Sequence, residues 1–101
     1  MKIVTICGSM KYQKEMMIAA EEMALAGNCV LTPVYPVIEE IVIKDDYKKS
    51  FDEAHFKRIE MSDAILVVNI DNYIGNSTKK EIEYAKSLEK EVIYYTDWKN
   101  K

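Results

Sequence analysis

Three residues of the 101-residue chain combine a chemically versatile side chain with a suggestive position: Glu81, His55 and Asp52. A carboxylate such as Glu81 could act as a nucleophile and form a covalent intermediate at a sugar carbon. His55 is the only histidine, and an imidazole could act as a general acid or base near neutral pH. Asp52 precedes it by three positions, so on a helix the two side chains would lie on the same side, where Asp52 would pair with His55 and orient it. We treat these three as the candidate catalytic residues; a helical histidine without a chemical role is the competing interpretation of His55.

Glu81 also fits a purely structural role. The segment TKKE, residues 78–81, matches the capping box, in which Thr78 would be the N-cap and Glu81 would accept the backbone N–H of Thr78. A carboxylate in the first turn is also favoured by the helix dipole. From the residues alone, Glu81 is therefore either a helix cap or a nucleophile.

Apolar runs and helical spacing predict the elements that must position these residues. Gly27 fits the position that ends the first helix. The alternation of strand and helix predicts an α/β fold with right-handed crossovers. We expect a single domain over residues 1–101, a Rossmann-like or flavodoxin-like three-layer sandwich whose four-stranded parallel sheet has the order 2-1-3-4. The predicted strands cover residues 2–7, 29–32, 64–70 and 92–96, and the predicted helices cover about 13–26, 45–62 and 78–90. The run VIEEIVI, residues 37–43, fits a strand, a lid or an oligomer contact.

This topology predicts where a ligand would bind. In open parallel sheets, ligands bind at the carboxyl ends of the strands where the strand order reverses, which here lies between strands 1 and 3. Two glycine-bearing turns, CGSM and YIGNST, should meet at that point, and their N–H groups and hydroxyls could hold a phosphate or sugar oxygen. Alternatively, Gly8 is only the small residue that such a turn requires. The candidate binding residues are Gly8, Ser9, Met10, Asn69, Gly75, Ser77 and Thr78.

The composition of the chain limits the classes of partner that it could bind. The net charge is −3, with 17 acidic and 14 basic residues, which argues against a nucleic-acid polymer as partner but not against a single nucleotide. No apolar run approaches the ~20 residues of a membrane span, and the first ten residues do not resemble a signal peptide. We therefore expect a cytoplasmic protein without a membrane partner. With one histidine and no CxxC pair, we expect no metal site. We also expect no cofactor.

Cys7 and Cys29 lie in or beside apolar runs, as reduced core cysteines do. Cys7 follows the first strand and could instead carry a phosphoryl group. The tyrosine-phosphatase pattern would need an arginine at position 13, which is Gln13. A phosphocysteine carrier, similar to the cellobiose-type IIB proteins of sugar phosphotransferase systems, remains an alternative to a buried core cysteine.

Several segments together resemble one family. ICGS at the end of the first strand, a helix bearing an acid and a histidine, SDAILVVNIDNYIGNST and KEIEYA look like the nucleoside 2-deoxyribosyltransferase-like superfamily. The resemblance is strongest to its small bacterial and phage members and covers nearly the whole chain. YIGNSTKKEIEYA is the most specific part of the match.

The resemblance implies a Rossmann-like fold, a homodimer or larger oligomer, and cleavage or transfer at the N-glycosidic bond of a 2′-deoxynucleoside or its 5′-monophosphate. It places Glu81 at the family's nucleophilic glutamate, and Gly8 and Ser9 at the turn that holds sugar or phosphate in the deoxynucleoside-monophosphate N-glycosidase branch. Thr5 stands where some members have a tyrosine, and His55 where the classical enzymes have an aspartate. A nucleotide-binding module without catalysis is the alternative function.

Overall fold

A computed structural model describes residues 1–36 and 45–100. Four parallel strands form one sheet in the order β2-β1-β3-β4, which confirms the predicted α/β architecture and strand order. The segment 37–43, predicted as a strand, a lid or an oligomer contact, lies outside the described residues. The strands are β1 (Ile3–Cys7), β2 (Cys29–Leu31), β3 (Ala64–Val67) and β4 (Glu91–Tyr94). The helices are α1 (Gln13–Leu25), α2 (Asp45–Met61), α3 (Asn76–Ser87) and α4 (Tyr95–Lys99), with 3₁₀ turns at Met10–Tyr12 and Ile70–Asn72.

The two faces of the sheet are covered by different helices, because successive side chains of a strand point to opposite faces. Val4 and Ile6 of β1 pack in a buried cluster with Met16 and Ala19 of α1. Cys7, the last residue of β1, packs instead with residues of α2 and α3. The architecture is therefore a three-layer sandwich, and the end of β1 sends the Cys7 side chain into the layer formed by α2 and α3.

The end of α1 follows the predicted glycine signal. Gly27 has a positive φ of 95°, and its N–H donates to the carbonyl of Ala24 at 2.9 Å. The N–H of Asn28 donates to the carbonyl of Met23 at 3.3 Å. These two bonds form the Schellman motif that terminates helices at a left-handed residue.

The predicted ends of the third and fourth strands lie beyond those in the structure. The third strand ends at Val67 rather than at residue 70, because its partner β1 ends at Cys7, which pairs with Val67. The last strand ends at Tyr94, and Tyr95 begins the short helix α4 instead of continuing the strand. Among the described residues, no helix combines the length and apolar character needed to cross a membrane.

Candidate functional site

A cavity of about 420 Å³ opens at the carboxyl end of the sheet. This volume lies within the range of about 300–1,000 Å³ that small-molecule sites usually have. The cavity wall combines the turn after β1, the segment after β2, one side of α2 and the start of α3. Its lining residues are Gly8, Ser9, Met10, Pro33, Val34, Pro36, Lys48, Phe51, Asp52, His55, Arg58, Tyr73, Gly75, Asn76, Ser77, Thr78 and Glu81.

The structure brings together every predicted site residue except Asn69, which is not part of the cavity lining. Asn69 lies two residues beyond the end of β3, and its Oδ1 accepts the backbone N–H and the hydroxyl of Thr96, both at 3.2 Å. Its side chain therefore ties the end of β3 to the C-terminal helix. The prediction that Asn69 contacts a ligand has no support in this geometry.

The capping-box interpretation of Glu81 is wrong. Helix α3 begins at Asn76 with Gly75 as its N-cap, and the N–H of Lys79 donates to the carbonyl of Gly75 at 3.0 Å. Gly75 can serve as the N-cap because it has the extended conformation that this position requires. Thr78 is thus inside the first turn, and Glu81 lies a further turn along the helix, where it cannot cap the N-terminus.

Three side chains from three different elements meet at the cavity wall. Cys7 Sγ at the end of β1 lies 3.4 Å from His55 Nε2 of α2. The same nitrogen lies 3.5 Å from Glu81 Oε1 of α3. The three donor atoms all lie within 4.8 Å of one another. Because Cys7 and His55 are buried and Glu81 is largely so, this cluster is shielded from bulk water.

The tautomer of His55 follows from its other ring nitrogen. Arg58 Nη1 lies 3.3 Å from His55 Nδ1, and a guanidinium can only donate. Nδ1 must therefore accept, and the neutral ring carries its proton on Nε2, facing Cys7 and Glu81. Burial, together with the charge of Arg58, lowers the pKa of His55 from 6.5 to about 4, so the imidazole is neutral near pH 7.

Burial acts on Glu81 in the opposite direction. It raises the pKa of the carboxyl from 4.5 to about 7; the Cys7 thiol partly offsets this by hydrogen bonding, and the charge of Asp52 adds to it. Glu81 and His55 are close enough for an ion pair. With His55 titrating near 4, however, the imidazole is already neutral at the pH where Glu81 ionises. The contact therefore joins a neutral Nε2–H to a carboxyl oxygen.

Asp52 lines the cavity, but the predicted pairing with His55 does not form. Both ring nitrogens face other groups, and among residues 1–36 and 45–100 no hydrogen bond joins Asp52 to the imidazole. The helical spacing placed the two residues on one side of α2 correctly. It could not show that the ring would turn toward Cys7 and Glu81.

The turn after β1 is held by local contacts. Ser9 Oγ accepts the backbone N–H of Lys11 at 3.3 Å and so caps the following 3₁₀ turn. A Cβ on Gly8 would lie 2.8 Å from Met16 Sδ. Close packing against α1 thus explains the glycine without a ligand, although both residues line the cavity.

Aromatic side chains also line the cavity. Phe51 and Tyr73 are each 43% exposed although they line the cavity, and Lys11 Nζ lies 4.6 Å from the centre of the Tyr73 ring. Exposed rings of this kind offer flat apolar surfaces to a planar ligand.

Sequence reasoning missed two partners of the catalytic candidates. Arg58 follows His55 by three positions, so the helical spacing that suggested Asp52 applied equally to it. Cys7 was considered as a phosphoryl acceptor or a core residue, not as a neighbour of His55. It is fully buried, and burial raises the pKa of its thiol well above the ordinary value, which makes it a poor phosphoryl acceptor.

Neither the protein-family models nor the curated proteins with which the chain was compared give a match.

Proposed function

We propose that this protein cleaves or transfers at the N-glycosidic bond of a 2′-deoxynucleoside or its 5′-monophosphate, with Glu81 as the nucleophile. The observation that carries the proposal is the position of the Glu81 carboxyl. It lies on the wall of a ligand-sized cavity at the carboxyl end of a parallel sheet, 3.5 Å from the imidazole of His55. The resemblance of YIGNSTKKEIEYA to the nucleoside 2-deoxyribosyltransferase-like superfamily supports the same assignment.

In the proposed reaction, a carboxylate oxygen of Glu81 bonds to C1′ of the sugar while the bond from C1′ to the base nitrogen breaks. The base leaves with the electron pair of that bond and takes a proton from water in the cavity. Water or a second base then attacks C1′ and releases Glu81. Hydrolysis and transfer differ only in this second step.

The surroundings of His55 support a narrower role than general acid–base catalysis. Its Nδ1 faces Arg58, and its Nε2–H faces Cys7 and Glu81. We propose that His55 orients the Glu81 carboxylate through Nε2–H and does not protonate the base. Tyr73 and Phe51 would stack on the base, while Gly8, Ser9, Met10, Gly75, Ser77 and Thr78 would surround the sugar or phosphate.

We further propose that the protein works in the cytoplasm as a homodimer or larger assembly without a cofactor. The support for an oligomer is the outer face of α1, where Ile18 is 46% and Leu25 is 88% exposed. Exposed apolar side chains on a helix are candidates for coverage by another subunit.

The test is release of free base, measured by chromatography in the presence of a metal chelator. Purified protein is incubated with a panel of deoxynucleosides and their 5′-monophosphates, each with and without an acceptor base. The pH is set above the Glu81 pKa of about 7. We expect base release from at least one substrate and a loss of about a thousandfold or more in Glu81→Gln, the scale on which removing a nucleophile acts.

Glu83→Gln is the matched control, because Glu83 is an exposed acid on the same helix and its replacement should leave turnover intact. Undiminished release by folded Glu81→Gln would contradict the proposed mechanism. Binding of a nucleotide with no release from any substrate would instead identify a binding module.

A further inference from the structure

We infer that Cys7, His55 and Glu81 form a site for one Zn²⁺ ion, with Sγ, Nε2 and a carboxylate oxygen as ligands. The distances carry the inference. Zinc bonds of about 2.3 Å to sulfur and about 2.0–2.2 Å to nitrogen or oxygen place tetrahedral ligand atoms about 3.3–3.6 Å apart. Two of the three ligand pairs match this spacing: Cys7 Sγ and Glu81 Oε1 lie 3.4 Å and 3.5 Å from the shared His55 nitrogen. The third pair, Cys7 Sγ and the Glu81 carboxylate oxygen, lies within 4.8 Å.

The chemistry of the donors selects the ion. A thiolate, an imidazole and a carboxylate together suit Zn²⁺, whereas Mg²⁺ and Ca²⁺ prefer oxygen ligands alone. A bound ion also displaces the thiol proton, so that Zn²⁺ with one thiolate and one carboxylate has no net charge. A neutral cluster is compatible with the burial of Cys7 and His55. His55 and Glu81 line the cavity, which gives the ion an entry path and a water ligand as its fourth partner.

Sequence spacing could not predict this site. The expectation of no metal rested on the single histidine and the missing CxxC pair, which are signals for ligands close together in the chain. Here the ligands come from β1, α2 and α3, and 48 positions separate Cys7 from His55. Only the packing of these elements brings them together.

Arg58, as the structure places it, disfavours binding of the ion. Coordination through Nε2 moves the imidazole proton to Nδ1, where it would face the Arg58 guanidinium at 3.3 Å. Two hydrogen-bond donors cannot bond to each other, so the Arg58 side chain must move away from His55 when the ion binds. Zinc-bound histidines normally donate this second N–H to an oxygen acceptor, which the side-chain carbonyl of a glutamine at position 58 could supply.

This inference does not rest on the proposed glycosyl chemistry. An ion on Glu81 and His55 would occupy the nucleophile, so metal binding and the glycosyl reaction exclude each other. Base release is tested with a chelator present, whereas metal binding is read from an absorption spectrum, so either proposal can fail without the other.

The experiment uses the full chain, freed of metal with a chelator, dialysed, and kept reduced by a phosphine without oxygen. Titration with Co²⁺ should give the visible bands of tetrahedral Co²⁺ and a near-ultraviolet thiolate charge-transfer band, saturating at one ion per chain. Added Zn²⁺ should bleach both. His55→Gln and Glu81→Gln should each weaken the binding about tenfold or more, and Arg58→Gln should tighten it about tenfold.

Cys29→Ser is the decisive control, because the chain has two cysteines and Cys29 is exposed. In this variant Cys7 is the only thiol, so the charge-transfer band must persist; in Cys7→Ser it must vanish. The Cys29→Ser result stands even if Cys7→Ser fails to fold. No tetrahedral spectrum in the wild type at millimolar Co²⁺, or loss of the charge-transfer band in Cys29→Ser, would overturn the inference.

Discussion

At the level of single residues, ionisation of the buried Glu81 carboxyl has two opposite effects: it supplies the nucleophile and it destabilises the folded protein. Its pKa is raised from 4.5 to about 7 by burial, so the folded protein favours the neutral acid. A nucleophile needs the ionised form. The protein therefore loses part of its stability in the same pH range in which this carboxylate becomes available.

The stability effect can be measured by replacing Glu81 with glutamine, which resembles the protonated acid at every pH. A group whose pKa is raised on folding stabilises the protein fully below its unfolded pKa of 4.5 and loses that effect as the pH rises through about 7. We expect Glu81→Gln and wild type to unfold with similar free energies near pH 4. Above pH 7, the variant should be more stable by roughly 1–3 kcal/mol.

Urea denaturation across this pH range, with chelator present, measures the difference directly. His55 destabilises the protein in acid through its lowered pKa, and comparing two chains that both contain His55 largely cancels that contribution. Glu83→Gln controls for the removal of a negative charge from α3, since Glu83 is exposed. A wild type as stable as Glu81→Gln above pH 7 would show that the Glu81 carboxyl is better solvated than the structure indicates.

At the level of elements, the strands and their order were predictable because apolar runs are a local signal and parallel α/β units follow few topologies. The start of α3 could not be predicted in the same way. Thr78 with Glu81 satisfied a capping box, while Gly75 satisfied a plainer N-cap three residues before Thr78, and the helix begins after Gly75. Local patterns could not choose between two valid starts.

The same limit applies to the site. The convergence of the two glycine-bearing turns followed from topology, and the structure confirms that Gly8 and Gly75 line one cavity. The contacts of His55 depend instead on how α2 and α3 pack over the end of β1. Helix spacing specifies the side of α2 on which His55 lies, but not which atoms its nitrogens meet.

The outer face of α1 provides a prediction about assembly. Its inner face is buried through Met16, Ala19 and Met23, whereas Ile18 and Leu25 are exposed on the other side. If another subunit covers that side, a charged side chain introduced there would be buried without a partner and would weaken the assembly. We expect the wild type to sediment as a dimer or larger species, and Leu25→Lys to sediment as a smaller one with an unchanged circular dichroism spectrum.

Analytical ultracentrifugation at tens of micromolar distinguishes these cases. Glu53→Gln changes the net charge by the same amount at an exposed position on α2, so it should sediment like the wild type. A monomeric wild type would count against the assembly, and an unaffected Leu25→Lys would place the interface elsewhere.

At the level of the whole molecule, the C-terminal helix closes one face of the sheet. Tyr95 packs in the buried cluster that includes Met16 and Met23 of α1. Its hydroxyl donates to Glu22, which also pairs with Lys99. The end of the chain is thus held to a helix more than seventy positions earlier, and contacts of this kind stabilise the fold without touching the cavity.

This junction should weaken in alkali. Burial, together with the hydrogen bond and the charge of Glu22, raises the pKa of Tyr95 from 10.0 to about 12. The neutral phenol therefore stabilises the folded state fully below pH 10, and that stabilisation is lost as the pH rises toward 12. In Tyr95→Phe no proton can be lost at this position, so the free energy of unfolding should decline less steeply between pH 10 and 12 than in the wild type.

Urea denaturation at several pH values in this range measures the two slopes. The phenylalanine variant should start from a lower stability, because it loses the hydrogen bond to Glu22, by about 1 kcal/mol. Glu22→Gln should reduce the wild-type slope only in part, since burial raises the Tyr95 pKa independently of Glu22. Equal slopes in the wild type and Tyr95→Phe would mean that the C-terminal helix separates from α1 before Tyr95 ionises, and that the rest of the fold does not depend on this junction.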